Sequence, residues 1–211
     1  MSGRKIGAVT DNMDKRYTYA QHKGRYSQAM KYEFYFEALM IDYALMEDRL
    51  KSFLYHAGIF NSRTSYKIDC CKSNKALLKQ IYCNYRNKSD ANLPNIQNIS
   101  GKINIIRAII EWVSNTEQNP DDNRYLRALK KQCESVDIGD MLDALKMIED
   151  WCKYRNEVVH ALMNKNVVSL RSELCDKAIE GMKLANRLDT YVRDIKKGNK
   201  VRKSANMRIE K

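Results

Sequence analysis

Proline and glycine are scarce in this chain of 211 residues, which contains two prolines and eight glycines. Folds built from many short strands need both residue types at their turns, so this scarcity favours long helices. The sequence has no run of about 18 apolar residues that would predict a membrane-spanning helix. It also lacks the charged, apolar and small segments of a secretory signal at its start, so we expect a cytoplasmic protein. A chain of this length is expected to form one domain.

The six cysteines form no Cys-x-x-Cys pair. Without a secretory signal, reduced thiols are expected rather than a disulfide framework. The chain has no P-loop, no glycine-rich dinucleotide turn and no His-Glu-x-x-His motif, and its histidines and carboxylates are not paired at the spacing of metal ligands. We therefore predict a site that uses neither a metal nor a cofactor.

The net charge of +12 is concentrated at the two ends of the chain. Residues 1–26 contain six Lys or Arg against two Asp. Residues 196–211 contain seven Lys or Arg against Glu210, which leaves residues 27–195 close to neutral. This distribution predicts a flexible basic arm over 1–26, a helical domain over 27–195 and a basic tail over 196–211. Basic arms on a neutral body suit a polyanionic partner, and the partner expected here is RNA.

Cations alternate with aromatic residues in the first arm, a mixture that can hold phosphates while it stacks bases. The candidate RNA-binding residues of the two arms are Lys15, Arg16, Tyr17, Lys23, Arg25, Lys196, Lys197, Lys200, Arg202 and Lys203. An arm packed against its own domain would show the same composition, and solvated tails are a further alternative. If the tail binds RNA, removal of residues 196–211 should weaken binding and flatten its salt dependence while the fold is unaffected.

Apolar residues recur at helical spacing through most of the chain. The longest run, from 28 to 57, steps 4-3-4-3 and predicts one long helix. The last run, from 169 to 195, carries the small residues Ala178, Gly181 and Ala185, which would let another helix approach closely. That neighbour is either the first long helix or the same element of a second subunit. Shorter helices are predicted over 74–87, 103–113 and 123–135, and a further helix over 140–164. The predicted fold class is all-α, a helical bundle with two long helices and additional shorter helices.

The last helix but one carries an unusually placed charge. Arg155 falls in phase with the apolar stripe to which Ile148 and Cys152 belong. A guanidinium on the inner stripe of a helix is costly unless it is paired, or lines a cleft or an interface. Asn156 and His160 are four residues apart and share a neighbouring face. A long arginine side chain can bridge the gap to that face, so the three side chains could converge on one phosphate-sized anion.

The segment Arg155-Asn156-Glu157-Val158-Val159-His160 resembles the R-x4-6-H signature of HEPN domains (higher eukaryotes and prokaryotes nucleotide-binding), including the polar residue directly after the arginine. Its position is also similar, because one more long helix follows it in an all-helical chain. The resemblance covers residues 141–164 in sequence and residues 27–195 in architecture alone. It implies a HEPN-type bundle that cuts RNA without metal through a composite site at a homodimer interface, in defence or toxin–antitoxin biology.

The resemblance assigns catalysis to Arg155 and His160, with Asn156 orienting the histidine or the phosphate. Metal-free cleavage of RNA requires a base, an acid and a cation. Histidine suits the proton transfers, and the forked donors of arginine suit the phosphate. One motif histidine per chain cannot easily serve as base and acid in the same step, so a two-fold homodimer is expected. An antitoxin or regulatory protein is a further expected partner, although Leu162 occupies the position at which some HEPN toxins carry a modified tyrosine.

Two other interpretations stay open. In the first, Arg155 forms a salt bridge within its own chain and His160 is an ordinary histidine at the edge of the core. In the second, the chain is a non-catalytic helical module that dimerises and binds RNA or a protein partner.

Overall fold

The computed structural model describes residues 12–65, 67–115, 123–161, 171–207 and 209. In these residues the chain forms eight α-helices and no strand, which confirms the all-α class. The helices are α1 (Asn12–Lys31), α2 (Tyr35–His56), α3 (Lys72–Tyr85), α4 (Ile99–Asn115), α5 (Arg124–Cys133), α6 (Ile138–Ala161), α7 (Arg171–Lys196) and α8 (Lys200–Ser204). Over the same described ranges, no helix is both long and apolar enough to cross a membrane.

Helices α2 and α7 run side by side in the same direction and form the centre of the bundle. Asp42 lies beside Gly181, and two turns farther along both helices Arg49 forms an ion pair with Asp189 at 2.9 Å. A Cβ atom added to Gly181 would lie 2.7 Å from the Asp42 carboxylate and 2.8 Å from the ring of Trp151 on α6. The small residues of the last long helix therefore admit α2, the first of the two neighbours that the sequence allowed.

Helix α6 runs antiparallel to α7. Trp151 donates a hydrogen bond from Nε1 to the carbonyl of Lys177 at 2.7 Å, and Arg187 donates to the carbonyl of Asp140 at 3.0 Å. One end of the bundle therefore gathers the end of α6 with the starts of α2 and α7, and we call it the motif end. The opposite end gathers the ends of α2 and α7 with the start of α1, and we call it the cleft end.

The single helix predicted over 28–57 is wrong, because the chain reverses between α1 and α2. Glu33 adopts the left-handed conformation with φ of 60°, and the amide of Phe34 donates to the carbonyl of Ala29 at 2.8 Å. The apolar spacing continues across this turn, so periodicity alone did not register the reversal. Tyr32 lies four residues before Phe36 and so continues the apolar spacing of α2, yet it is 60% exposed.

Residues 12–26 correct the prediction of a flexible basic arm. They lie in α1, which is held against α2 and α7. Lys15 forms an ion pair with Asp48 at 3.0 Å, and the hydroxyl of Tyr26 donates to the carbonyl of Ala178 at 3.1 Å. Tyr19 and Tyr26 of the arm thus pack on their own domain, the alternative that its composition left open, whereas Tyr17 is exposed. Residues 1–11 lie outside the described part of the chain.

The basic tail is also corrected, because its first residues belong to the fold. A short 3₁₀ turn, Lys197–Asn199, leads into α8. Arg202 in α8 is fully buried and donates to the carbonyls of Tyr55, Phe60 and Asn61 at 2.7–2.9 Å. Its guanidinium also stacks on the Tyr55 ring at 3.7 Å. Arg202 ties the end of α2 to the following loop, so removal of residues 196–211 cannot leave the fold unaffected as the sequence predicted.

The other predicted helices are present with adjusted bounds. Helix α4 is the most apolar of the shorter ones, with Ile103, Ile106 and Ile110 fully buried. Lys102 ties it to α2 through an ion pair with Glu47 at 2.8 Å. The helix predicted over 140–164 is described as far as Ala161, and the predicted start of the last helix at Ser169 lies outside the described residues.

Candidate functional site

Arg155 lies near the end of α6, and its side chain packs across onto α2. The guanidinium stands 4.4 Å above the ring of Tyr43. One terminal nitrogen donates to Met40 Sδ at 3.1 Å, and the other donates to Asn156 Oδ1 at 3.0 Å. Cation–π contact and two hydrogen bonds fix the guanidinium without neutralising its charge. The inward phase predicted for Arg155 is therefore confirmed, and its neighbour on that side is α2.

No ion pair joins Arg155 to a carboxylate among the described residues, and its buried Nε has no hydrogen-bond partner there. The interpretation of Arg155 as one half of an intrachain salt bridge thus finds no partner in this part of the molecule. The guanidinium is half-buried and keeps its positive charge without a carboxylate partner in these residues.

Asn156 and His160 are exposed side chains one helical turn apart on α6. Positions i and i+4 lie on the same face of a helix, so the amide and the imidazole point to the same region of solvent. The hydrogen bond from Arg155 to Asn156 turns the guanidinium toward this face. The structure thus places the guanidinium against the Asn156 amide, and the exposed His160 side chain lies one helical turn from that amide.

Cys152 lies one turn before the motif and does not add a nucleophile. The thiol is buried, and burial raises its pKa to about 12 although the nearby Arg155 guanidinium acts in the opposite direction. A thiol with this pKa is protonated at neutral pH and is inert.

An exposed aromatic surface borders the motif, and the sequence analysis did not identify it. It consists of Tyr32, Phe34, Phe36 and Met40, from the turn between α1 and α2 and the first turns of α2. Tyr32 and Phe34 are each 60% exposed and Met40 is 37% exposed. A groove of about 580 Å³ runs along it. Because Met40 contacts Arg155, the aromatic surface and the motif are continuous.

Most of the predicted RNA-binding cations are far from the motif. Those that are exposed on α1, the 3₁₀ turn and α8 are Arg16, Lys23, Arg25, Lys197, Lys200 and Lys203, and Tyr17 is exposed beside them. Lys15 and Lys196 line a cleft at the cleft end of the bundle. Arg202 is buried against backbone carbonyls and cannot contact RNA, which corrects its assignment. A count of charges along the chain cannot separate a solvated arginine from one that caps carbonyls.

No protein-family model matches the chain, and comparison with curated proteins and with solved structures finds no match. The resemblance to HEPN domains therefore stays a prediction from the Arg155–His160 motif and the order of the helices. Within the described residues, no group of three or more His, Cys, Asp or Glu side chains is placed to hold a metal ion. The position of Leu162 lies outside those residues.

Proposed function

We propose that this protein is a metal-independent endoribonuclease of HEPN type that acts in the cytoplasm as a homodimer, in defence or toxin–antitoxin biology. Arg155 and His160 are the catalytic residues and Asn156 is the positioning residue. One observation carries the proposal: the Arg155 guanidinium is held on α2 without a carboxylate partner among the described residues, and it reaches toward the exposed face that carries His160.

The reaction divides between the two kinds of side chain. Neutral His160 takes the proton of the RNA 2′-hydroxyl, and the 2′-oxygen attacks the adjacent phosphorus. The bond from phosphorus to the 5′-oxygen breaks, and the leaving oxygen takes a proton from a protonated imidazole. Arg155 holds the negative charge that develops on the phosphorane. The products are a 2′,3′-cyclic phosphate and a free 5′-hydroxyl.

The second imidazole in this scheme is His160 of a second copy of the chain. A two-fold axis near the end of α6 would bring two motifs together, since an isologous contact places each residue near its own symmetry mate. The aromatic surface supports this position, because large exposed apolar side chains next to the motif are typical of an association surface. Burial of Tyr32 and Phe34 between subunits would stabilise the dimer at the place where the chemistry requires it.

The test is incubation of the purified protein with total RNA in EDTA. Wild-type protein should produce 2′,3′-cyclic phosphate ends, and His160→Ala should lower the rate at least about 100-fold, because one acid–base group typically contributes this much. His22→Ala is the matched control, since His22 lies on α1 away from the motif. Products with free 3′-hydroxyl ends and an absolute requirement for magnesium would refute the proposal.

A non-catalytic module that dimerises and binds RNA or protein is the second candidate, and the exposed aromatic surface favours it equally. Sedimentation separates the two when it is combined with the cleavage assay. A dimer that is lost in Phe34→Ser, together with no cleavage by wild-type protein, would support the binding module. A cleavage rate that falls in proportion to the fraction of dimer would support the nuclease.

A further inference from the structure

A recess at the cleft end of the bundle is lined by eleven residues, and six of them are cations. It lies between the start of α1 and the last turns of α2 and α7, and its volume is about 270 Å³. Its cationic lining residues are Lys15, Arg16, Arg49, Arg63, Arg193 and Lys196. The single lining carboxylate is that of Asp189. The residues of α2 that line the recess all follow Tyr43 along the helix. His56, the last of them, is about 20 Å from Tyr43 along the helix axis.

Arg49 is the fixed centre of the recess. Its two terminal nitrogens form ion pairs with Asp48 at 2.5 Å and Asp189 at 2.9 Å. Its guanidinium stacks on the ring of Tyr19 at 4.0 Å. The buried Nε has no hydrogen-bond partner among the described residues. The side chain is therefore immobilised on three sides and keeps one unused donor.

His56 supplies a second unused polar atom in the same recess. The residue is 4% exposed, and its buried Nδ1 has no hydrogen-bond partner in the described part of the chain. Two orphaned polar atoms in one recess are unusual, because buried polar groups are almost always paired.

Asp48 and Asp189 compensate the positive charge of the recess only in part. Burial lowers the pKa of Lys196, and the charges of Arg63 and Arg49 lower it further. Burial likewise lowers the pKa of His56 to about 3, with additional contributions from Lys196 and Arg63. His56 is therefore neutral beside several cations, and an anion in the recess would stabilise all of them.

We propose that this recess binds an oligophosphate group, two or more linked phosphates of the kind carried by nucleoside di- and triphosphates. One phosphate carries about two negative charges, too few for six cations that face Asp189 and the neighbouring Asp48. Linked phosphates match the excess and present many oxygens to guanidinium donors. The recess is distinct from the motif, because the two lie at opposite ends of the bundle. The inference therefore does not depend on the proposed nuclease activity.

Titration calorimetry with tripolyphosphate, pyrophosphate and sulfate tests the site. Lys196→Gln removes a cation from the recess, and Lys197→Gln removes the same charge from the exposed neighbouring residue. We expect Lys196→Gln to weaken tripolyphosphate binding about tenfold or more, the loss typical of one charged hydrogen bond. Lys197→Gln should bind as the wild type does. Arg16→Gln and Arg25→Gln form a second matched pair on α1.

Equal weakening in both members of each pair would overturn the proposal, because it would show that binding follows the net charge alone. Sulfate binding as tight as that of tripolyphosphate would also overturn it. The assignment to a small ligand would be overturned if an RNA oligonucleotide displaced tripolyphosphate more effectively, per phosphate, than ATP. A variant that fails to fold is recognised by circular dichroism without ligand, and the other matched pair then decides.

A spectroscopic measurement adds a readout that needs no variant. The ring protons of the three histidines are assigned by triple-resonance NMR, and tripolyphosphate is then added. The signals of His56 should shift, since its imidazole forms the wall of the recess. Shifts confined to His22 and His160 would place the anion elsewhere and refute the site.

Discussion

The wild-type protein should become less stable as the pH rises from 6.5 to 8, and Asp42→Asn should abolish this loss. Asp42 is fully buried between α2 and α7. Neither of its carboxylate oxygens has a hydrogen-bond partner among the described residues. Burial raises the pKa of this carboxyl to about 8, so it is protonated in the folded protein at neutral pH. It lies beside Gly181 of α7.

The size of the effect follows from the difference between the folded and unfolded pKa values. Between the ordinary value of 3.8 and the folded value of about 8, the folded protein keeps a proton that the unfolded chain has lost. Rising pH therefore destabilises the fold by about 1.4 kcal/mol per pH unit. At pH above 8 the carboxyl ionises in the folded state as well, and the loss is complete.

His56 acts in the opposite direction over a lower range. Its folded pKa of about 3 lies below the ordinary value of 6.5, so rising pH stabilises the fold until about pH 6.5. Below pH 6.5 the opposite effects of Asp42 and His56 on the free energy of unfolding cancel. Above pH 6.5 only the effect of Asp42 remains. Burial and the Asp42 charge raise the pKa of nearby Tyr26 to about 12, so that phenol does not titrate in this window. The wild-type protein should lose roughly 2 kcal/mol from pH 6.5 to pH 8.

Urea denaturation followed by circular dichroism at pH 6.5, at pH 8 and between them measures this loss. Asp42→Asn should show a nearly constant free energy of unfolding over the range. Asp143→Asn is the matched control, because Asp143 is an exposed acid on α6, and it should follow the wild type. Parallel pH dependence in wild type and Asp42→Asn would refute the reasoning.

Three further predictions concern the site and the packing. Mixing wild-type protein with an excess of His160→Ala should lower the RNA cleavage rate per wild-type subunit, because a mixed dimer keeps only one of the two imidazoles that the scheme requires; an unchanged rate per wild-type subunit in an assay that verifies mixed dimers would contradict a shared site. Arg202→Met should lower the free energy of unfolding by about 2 kcal/mol or more in urea, because the buried carbonyls of Tyr55 and Phe60 lose their donor. Gly181→Ala should cost about 1–3 kcal/mol by the same measurement, because the added methyl meets the Asp42 carboxylate and the Trp151 ring. Gly24→Ala on α1 is its control, because an added Cβ there meets nothing within 4 Å.

Local sequence patterns were sufficient to predict the helices that are marked by their own apolar spacing. The all-α class and the positions of α4, α5 and α6 could be predicted because a helix buries one face at a period of 3.6 residues. The small residues around Gly181 likewise predicted a close helix contact. The break at Glu33 could not be predicted, since the apolar spacing has the same period on both sides of it. Only the packing of α1 back onto α2 distinguishes a turn here from a continuous helix.

The sequence by itself determined that Arg155, Asn156 and His160 share one helix and that two of them share a face, because these relations depend on helical geometry alone. The tertiary structure decided what holds the guanidinium, since Met40 is 115 residues away along the chain. It also decided which cations face solvent. Arg202 and Arg16 are indistinguishable by charge, yet backbone carbonyls from a distant segment bury the first and leave the second exposed. Contacts over such separations depend on which elements pack together, and periodicity along the chain carries no information about that.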